Sequence, residues 1–164
     1  MLKIEENKIS VSWWDIQDLI KDLAEKIPFE VPLADSIYGI PRGGLIPAVM
    51  LSHATGLPLV QTIGKDTLVV DDMTDSGVTM NKMPGQWTAT LFHKPHTSIF
   101  TPNVYSKLHE GDEWLIFPWE KFDSPAIQDY LNEDKDKFAH LADANYIGGL
   151  TMPKENTNKV GKNG

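Results

Sequence analysis

The feature that most limits how this chain can fold is a short apolar run that ends in two adjacent carboxylates. The run covers residues 67–70, the carboxylates are Asp71 and Asp72, and a loop of small hydroxylic residues leads on to Val78. A short apolar run bounded in this way is typical of a buried strand, and the residues from Val78 onward have the pattern of a helix start. The order strand, loop and helix favours an α/β fold, in which ligands bind beyond the carboxyl ends of parallel strands.

Hydrophobic periodicity on both sides of this run predicts the same alternation of strands and helices. Ser12, followed three residues later by Asp15, predicts a capping box at the start of the first helix. The predicted helices cover 16–27 (ended by Pro28), 45–55 (capped by Gly56), 78–83 and 126–132, and the predicted strands cover 34–40, 57–63, 67–70, 87–92 and 114–117. Together these elements predict a mainly parallel sheet flanked by helices.

Composition and charge bound the class of protein. With 164 residues, of which 41% are hydrophobic, the chain is expected to form a single domain over residues 1–152, followed by a loose, Lys- and Asn-rich tail over 153–164. A net charge of -8 argues against nucleic acid as a partner. The absence of cysteine excludes disulfides, a thiolate zinc site and a cysteine nucleophile. Because no apolar run has the length of a membrane span and the first residues lack a signal-peptide core, we expect a cytoplasmic protein with no membrane partner.

The loop after the carboxylates has the chemistry of a phosphate site. Thr74, Ser76 and Thr79 offer hydroxyl groups, and Gly77 allows the backbone to come close to a bound group. Loop amides and a helix N-terminus carry partial positive charge, which attracts a phosphate. The loop therefore predicts an anion site at the end of the strand.

The two carboxylates suit a different part of the same ligand. Asp71 and Asp72 would repel a phosphate, so they suit hydroxyl groups, such as a ribose diol, or a divalent cation. A phosphate also suits Arg42, the only arginine of the chain, which stands in the turn 41–44. A plain structural explanation stays open: an acidic turn in which Asp75 caps the helix, and a solvated loop arginine. The ordered set as a whole favours a phosphosugar site.

This segment resembles the binding motif for 5-phosphoribosyl 1-pyrophosphate (PRPP) of type I phosphoribosyltransferases. That motif has two apolar residues, two acidic residues and a Thr/Ser-Gly-x-Thr loop, which here span residues 69–79. Residues 38–47, with the string Arg-Gly-Gly-Leu-Ile-Pro, resemble the family's pyrophosphate loop in its xanthine-guanine branch. The string at 92–95 resembles the segment with the purine-reading lysine, and 113–120 resembles the hood strand that ends in Pro-Trp-acid. The resemblance implies a Rossmann-like core with a small hood over about 93–122.

The resemblance implies a role for each residue of the PRPP motif. Asp71 and Asp72 would hold the ribose hydroxyls, with Asp72 near a Mg²⁺, directly or through water. Arg42 and the amide of Gly43 would take the pyrophosphate, at a peptide that in this family is often a non-proline cis bond. The remaining residues assigned to PRPP, most of them around its 5-phosphate, are Thr74, Asp75, Ser76, Gly77, Val78 and Thr79.

The resemblance also implies a purine site. Asp75 would face N7 of the purine and accept a proton as the base reacts, which makes it the candidate catalytic residue. Lys94 would donate to the exocyclic O6, Trp114 would stack on the ring, and the backbone of Leu115 would read the N1/N2 edge. The alternatives are a surface lysine at Lys94 and a core aromatic at Trp114.

The chain departs from the family just before the carboxylate strand. The family carries there a long flexible loop that closes over the reacting centre, whereas here only residues 64–66 separate two predicted strands. Parallel strands need a crossover of about a dozen residues or more. Either residues 59–63 run antiparallel to the next strand, or this strand is short and its end forms the return connection. In both cases the lid is missing, and Lys65, the segment 96–107 or a neighbouring subunit would have to cover the site.

Two functions from different classes therefore stay open. The first is a Mg²⁺-dependent enzyme, a homodimer or higher homo-oligomer, that transfers the phosphoribosyl group of PRPP to N9 of a 6-oxopurine (guanine, xanthine or hypoxanthine) and releases pyrophosphate. The second is a catalytically weak or inactive regulatory protein of the same fold that binds PRPP or a nucleotide. The presence of Asp75, Lys94 and Trp114 favours the enzyme, because a phosphosugar sensor needs no purine site. The missing lid favours the second function.

Overall fold

The structure, a computed structural model, describes residues 7–83, 87–120, 146–147 and 150–151. Its elements in chain order are β1 (Lys8–Ser10), α1 (Trp13–Glu30), β2 (Ser36–Gly39), α2 (Leu45–Thr55), β3 (Thr67–Thr74), α3 (Val78–Lys82), β4 (Trp87–His93), β5 (Val104–Leu108), β6 (Trp114–Ile116), β7 (Tyr146–Ile147) and β8 (Leu150–Thr151). Within this part of the chain, no helix combines the length and apolar character needed to cross a lipid bilayer.

Four parallel strands form the main sheet, in the order β2-β3-β4-β5. One apolar cluster joins Leu68 and Val70 of β3 to α2 and to residues of α1 such as Leu23. A second, smaller cluster joins Val69 of β3 to Met80 of α3. Because neighbouring residues of a strand point to opposite faces, these two clusters cover both faces of the sheet. The predicted α/β fold with a mainly parallel sheet is confirmed.

The start of α1 confirms the predicted capping box, while its end corrects the prediction. The Ser12 hydroxyl accepts a hydrogen bond from the amide of Asp15 at 3.1 Å, and the Asp15 carboxylate accepts one from the amide of Ser12 at 2.8 Å. These bonds satisfy two amides at the helix start. The helix then continues through Pro28 to Glu30, because a proline in the last turn removes only one backbone hydrogen bond.

β3 is longer than its apolar run. The strand continues through Asp71 and Asp72 to Thr74, and its backbone stays paired with β4 from Leu68 to Thr74. Polar side chains do not end a strand whose main-chain groups keep their partners. Both carboxylates therefore belong to the last part of a strand, not to a loop.

Two further strand predictions need correction. Residues 57–63 were predicted as a strand, whereas the structure has there a single parallel bridge between Leu59 and Ile37. β5 was not predicted, since its residues are partly polar, yet it pairs in parallel with β4. β5 falls inside the segment expected to form the hood (93–122) and overlaps the candidate cover (96–107) at residues 104–107, so this part of each belongs to the main sheet.

Hydrogen bonds around Ile37 decide between the two alternatives for the connection before β3. Its amide donates to the carbonyl of Pro58 at 2.8 Å, and its carbonyl accepts from the amide of Val60 at 2.8 Å. The chain then returns to Thr67, whose hydroxyl accepts from the amide of Gly64 at 2.8 Å. The second alternative is correct: the strand is reduced to a short parallel bridge, and a tight turn stands where the family has its lid.

A second, two-stranded parallel sheet consists of β1 and β6, with Ile9 opposite Leu115. Leu115 and Phe117 belong to the main apolar cluster, which attaches this small sheet to the core. β7 and β8 form an antiparallel pair. The predicted helix 126–132 and the predicted loose tail 153–164 lie outside the described residues.

Gly44, just before α2, lies where the turn 41–44 meets β3. The amide of Ile40 donates to the carbonyl of Val70 at 2.9 Å, and the amide of Gly44 donates to the carbonyl of Ile40 at 2.9 Å. A Cβ at Gly44 would collide with the Val70 carbonyl and with the backbone of Ile40. Because the turn is hydrogen-bonded to the strand, it cannot move away to make room.

We therefore expect Gly44→Ala to lower the free energy of unfolding by about 2 kcal/mol or more, within the range of steric defects in a core. Gly64→Ala is the matched control, because the nearest atom to its added Cβ is the Thr67 hydroxyl oxygen at 3.4 Å, an ordinary contact. Urea unfolding followed by tryptophan fluorescence measures both variants. Equal losses in the two variants would contradict the close approach at Gly44.

Candidate active site

The carboxyl ends of β2, β3 and β4 place the predicted site residues at one edge of the main sheet. β2 leads into the turn 41–44, β3 leads into the loop 75–77, and β4 leads directly to Lys94. Because these strands are parallel neighbours, the three segments meet at the same edge.

The turn after β2 places Gly43 directly beside Asp72. A Cβ at Gly43 would collide with the Asp72 carboxylate, so a glycine is required for this approach. The Pro41–Arg42 peptide bond is cis, as the family resemblance implies. Arg42 is exposed and forms no ion pair with any residue that the structure describes, which leaves its guanidinium open to a ligand.

Burial, together with the negative charge of Glu120, raises the pKa of Asp72 to about 7. Glu120 is held near this position because its carboxylate accepts a hydrogen bond from the amide of Phe117 at 2.9 Å. The backbone amide of Asp72 donates a hydrogen bond to the Asp71 carboxylate at 2.9 Å. A carboxyl group in this environment gains from a nearby cation, since a positive charge stabilises its ionised form.

The loop between β3 and α3 is shaped by Gly77. This residue has a φ of 75°, in the left-handed region that favours glycine. A Cβ at Gly77 would also collide with Ser98 and Phe100, which lie against the loop. The amides of Ser76 and Gly77 donate to no acceptor among the described residues, so they are open to an anion.

The structure brings only some of the other residues predicted to bind PRPP close to this loop. Val78 and Thr79 lie in the first turn of α3, close to the loop. Thr74 is 2% exposed, and its hydroxyl oxygen lies 3.1 Å from the hydroxyl oxygen of Thr90. The structure therefore does not bring the Thr74 hydroxyl to the loop, because that group is engaged inside the sheet.

Asp75 and Lys94, predicted from separate motifs, lie side by side. Nζ of Lys94 is 3.9 Å from Oδ1 of Asp75, with side-chain exposures of 6% and 18%. The amide of Lys94 donates to the carbonyl of Thr74 at 2.9 Å, which joins the ends of β4 and β3. A carboxylate beside a buried cationic donor can accept a proton from one atom of a ligand while the donor bonds its neighbour.

The hood strand β6 leaves one edge open at Leu115. The amide of Trp114 donates to the carbonyl of Asn7, and the carbonyl of Ile116 accepts from the amide of Val11, both at 2.8 Å. Since alternate residues of a strand bond to the same neighbour, the N–H and C=O of Leu115 face the opposite edge. That edge carries no strand in the described part of the chain, so the backbone of Leu115 can read a ligand. Trp114, at the start of β6, is partly buried.

A magnesium ion is compatible with the residues at this edge. Among the described residues, no group of three or more His, Asp or Glu side chains forms a metal cage. Mg²⁺ is commonly bound by one or two carboxylates together with substrate phosphates, so a complete protein cage is not needed. Burial and the charge of Glu120 destabilise the ionised form of Asp72, and a cation would stabilise it. Asp72 is therefore the side chain that fits such an ion.

Two residues of this site were not assigned from the sequence. Glu120 was seen only as the acid at the end of the Pro-Trp-acid string, and its effect on Asp72 depends on the fold. The Thr97 hydroxyl shares its one proton between Oδ1 of Asp75, at 2.9 Å, and the Asp75 carbonyl oxygen, at 3.0 Å. No sequence signal indicates this contact, because a threonine in a turn has many roles.

Comparison with known proteins finds similar sequences and similar structures among phosphoribosyltransferases. No protein-family model matches it. Xanthine-guanine phosphoribosyltransferase of Gluconobacter oxydans is 30% identical over 114 residues, which cover 51% of this chain and 67% of that protein. The protein of the same name in Cereibacter sphaeroides is 26% identical over 148 residues, or 70% and 88% of the two chains. Among solved structures, a purine phosphoribosyltransferase from Pyrococcus horikoshii shares 30% identity with a TM-score of 0.61, covering 74% of this chain and 99% of that one.

The raised pKa of Asp72 predicts a pH dependence of stability. Between the ordinary value of 3.8 and about 7, the folded protein retains a proton that the unfolded chain has lost. The free energy of unfolding should therefore fall as the pH rises through this window, and Asp72→Asn should remove that part of the slope. Urea unfolding of the wild type and of Asp72→Asn, at intervals from pH 4 to pH 8, measures this pH dependence.

Glu120→Gln serves as the second variant in the same series. Its amide oxygen can still accept from the Phe117 amide, while its charge is gone, so the slope should become smaller without vanishing. Identical slopes in the wild type and in Asp72→Asn would show that Asp72 titrates normally.

Proposed function

This chain belongs to the purine phosphoribosyltransferase family, and we propose that it transfers the 5-phosphoribosyl group of PRPP to N9 of a 6-oxopurine with release of pyrophosphate. The observation that carries the proposal is the 3.9 Å approach of Lys94 and Asp75 at the ends of neighbouring strands. A 6-oxopurine presents N7 and O6 side by side. Asp75 can take a proton from N7 while Lys94 donates a hydrogen bond to O6. A site for a phosphosugar alone would need neither.

PRPP is assigned to the edge formed by β2, β3 and the following loop. Arg42 and the amide of Gly43 would bind its pyrophosphate, Asp71 and Asp72 would bind its ribose hydroxyls, and the residues 75–79 would surround its 5-phosphate. The exposed guanidinium and the open loop amides support the two anion sites, and the carboxylates between them support the diol. A Mg²⁺ held at Asp72, directly or through water, would supply positive charge to the leaving pyrophosphate.

In the proposed reaction, N9 of the purine attacks C1 of the ribose while the bond from C1 to the pyrophosphate oxygen breaks. Pyrophosphate leaves with the bonding electron pair, and positive charge develops on the ribose ring. Asp75 accepts the proton from N7, which keeps the product purine neutral. Lys94 donates to O6 and holds the base in place. No covalent bond to the protein is formed.

The missing lid leaves the exclusion of water to another part of the protein. The tight turn over 60–66 is hydrogen-bonded at both ends and cannot extend over C1. We propose that the chain works as a homodimer or higher homo-oligomer in which a neighbouring subunit completes the cover. Lys65 and the connection 96–103 are the alternatives within the chain.

The same tight turn favours a second candidate function, a weakly active or inactive PRPP- or nucleotide-binding regulator. An assay of the purified protein with PRPP, Mg²⁺ and each of guanine, xanthine, hypoxanthine and adenine separates the two functions. Formation of a nucleotide from a 6-oxopurine supports the enzyme. Binding of PRPP without turnover of any base supports the regulator.

Loss of the proton acceptor should slow the reaction without weakening PRPP binding. We expect Asp75→Asn to lower kcat about 100-fold or more, the usual scale for loss of a general base, with little change in KM for PRPP. Asp18→Asn is the control, because Asp18 is exposed on α1. Steady-state kinetics with guanine measures both variants, and wild-type turnover in Asp75→Asn would remove Asp75 from the mechanism.

Lys94 should make the enzyme select 6-oxopurines. An ammonium group only donates, so it matches O6 of guanine, xanthine or hypoxanthine but not the amino group of adenine. We expect kcat/KM for the preferred 6-oxopurine to exceed that for adenine by about 10⁴-fold, and Lys94→Gln to reduce this ratio. Lys107→Gln, a change at an exposed lysine of β5, should leave the ratio unchanged. Comparable use of adenine by the wild type would overturn the assignment of the base pocket.

A further inference from the structure

Two side chains lie beside the same oxygen of the Asp75 carboxylate, and one of them is hydrogen-bonded to it. Oδ1 accepts a hydrogen bond from the Thr97 hydroxyl at 2.9 Å and lies 3.9 Å from Nζ of Lys94. Among the described residues, no side chain bonds to Oδ2. Among the described side chains, only Thr97 therefore bonds to the carboxylate, through Oδ1, and Oδ2 is left for a ligand.

The Thr97 hydroxyl bonds to the loop backbone as well as to the side chain. It also lies 3.0 Å from the carbonyl oxygen of Asp75, so its one proton is shared between the side chain and the backbone of this residue. Because rotation of the carboxylate would remove the bond between Oδ1 and the hydroxyl, the contact opposes that rotation. A valine has nearly the same shape and would lack both bonds.

Backbone hydrogen bonds hold Thr97 in place independently of its side chain. The amide of Ser98 donates to the carbonyl of Lys94 at 3.1 Å, and the amide of Ile99 donates to the carbonyl of Ser76 at 2.9 Å. Ser98 and Phe100 also lie against Gly77. Other contacts thus attach this segment to the loop. The Thr97 hydroxyl is not needed for that attachment.

We propose that Thr97 is a positioning residue that orients Asp75 so that Oδ2 faces the N7 position of the bound purine. This inference rests on the proposed function, because it gives Asp75 the role of proton acceptor. Without the Thr97 bond, the carboxylate can turn and share its oxygens with Lys94, and the proton acceptor is correctly placed for only part of the time. The effect should fall on the transfer step, since no part of PRPP is assigned to Thr97.

The test compares Thr97→Val and Thr97→Ser with the wild type. We expect Thr97→Val to lower kcat about tenfold, the value of a hydrogen bond to a charged group at a partly exposed site, with KM for PRPP unchanged. Thr97→Ser keeps the hydroxyl and should restore most of the activity. Thr101→Val is the matched control, since Thr101 is exposed in the same connection and takes part in no hydrogen bond with a described residue.

A double-mutant cycle separates positioning from a structural effect. If Thr97 acts through Asp75, then Thr97→Val in the Asp75→Asn background should cause no further loss of kcat. Losses that multiply in the double variant, or wild-type kcat in Thr97→Val, would overturn the positioning role while leaving the proposed function intact. Failure of the wild type to form nucleotide from any purine would overturn the proposed function, and the positioning role with it. Urea midpoints confirm that each variant is folded, as expected for an exposed side chain.

Discussion

The contact between the turn 41–44 and the end of β3 is the one on which the rest of the site depends. The backbone hydrogen bond from Ile40 to Val70 attaches the turn to the strand, and the bond from Gly44 to Ile40 closes the turn itself. Gly43 can then lie directly beside Asp72, where any side chain would collide with the carboxylate. This approach brings the turn that carries the exposed Arg42 against the strand that carries the two carboxylates, an arrangement that the proposed pyrophosphate and ribose sites require.

A second set of contacts joins the segment that follows β4 to the loop that follows β3. The amide of Lys94 bonds to the carbonyl of Thr74, which aligns the ends of β4 and β3. The segment after Lys94 then folds back on the loop, with Ser98 and Phe100 against Gly77. Asp75 thus lies between the loop after β3 and Lys94, where the proposed phosphate site and the proposed purine site would share it.

The electrostatics of the site are those of a protein prepared for a charged ligand. The ionised form of Asp72 is destabilised by burial and by Glu120, while the buried Lys94 has the carboxylate of Asp75 3.9 Å away, beyond hydrogen-bond distance. Buried charges of this kind cost folding free energy unless a partner is supplied. A ligand that carries hydroxyls, phosphates and a purine would supply those partners.

Much of the fold could be predicted from the sequence, and the errors have a common cause. The capping box at Ser12 and the helix that ends at Gly56 depend on residues within one or two turns of each other, and both predictions are confirmed. β5 was missed, and the strand at 57–63 was predicted although only a bridge at Leu59 exists. Whether a short segment becomes a strand depends on the neighbour that takes its hydrogen bonds, and that neighbour is distant in the chain.

In the site, too, local sequence determines some features and contacts between distant residues determine the others. By itself, the sequence determined which residue types follow each strand, and hence that carboxylates, hydroxylic loop residues and a lysine are available at one edge of the sheet. Only the tertiary structure decided which of these groups meet: it turned the Thr74 hydroxyl into the sheet toward Thr90, brought Glu120 near Asp72, and placed Thr97 on the carboxylate of Asp75. The physical reason is that residue type and local spacing act within a few residues, whereas side-chain contacts and pKa shifts depend on strand register and burial, which the whole chain sets when it packs.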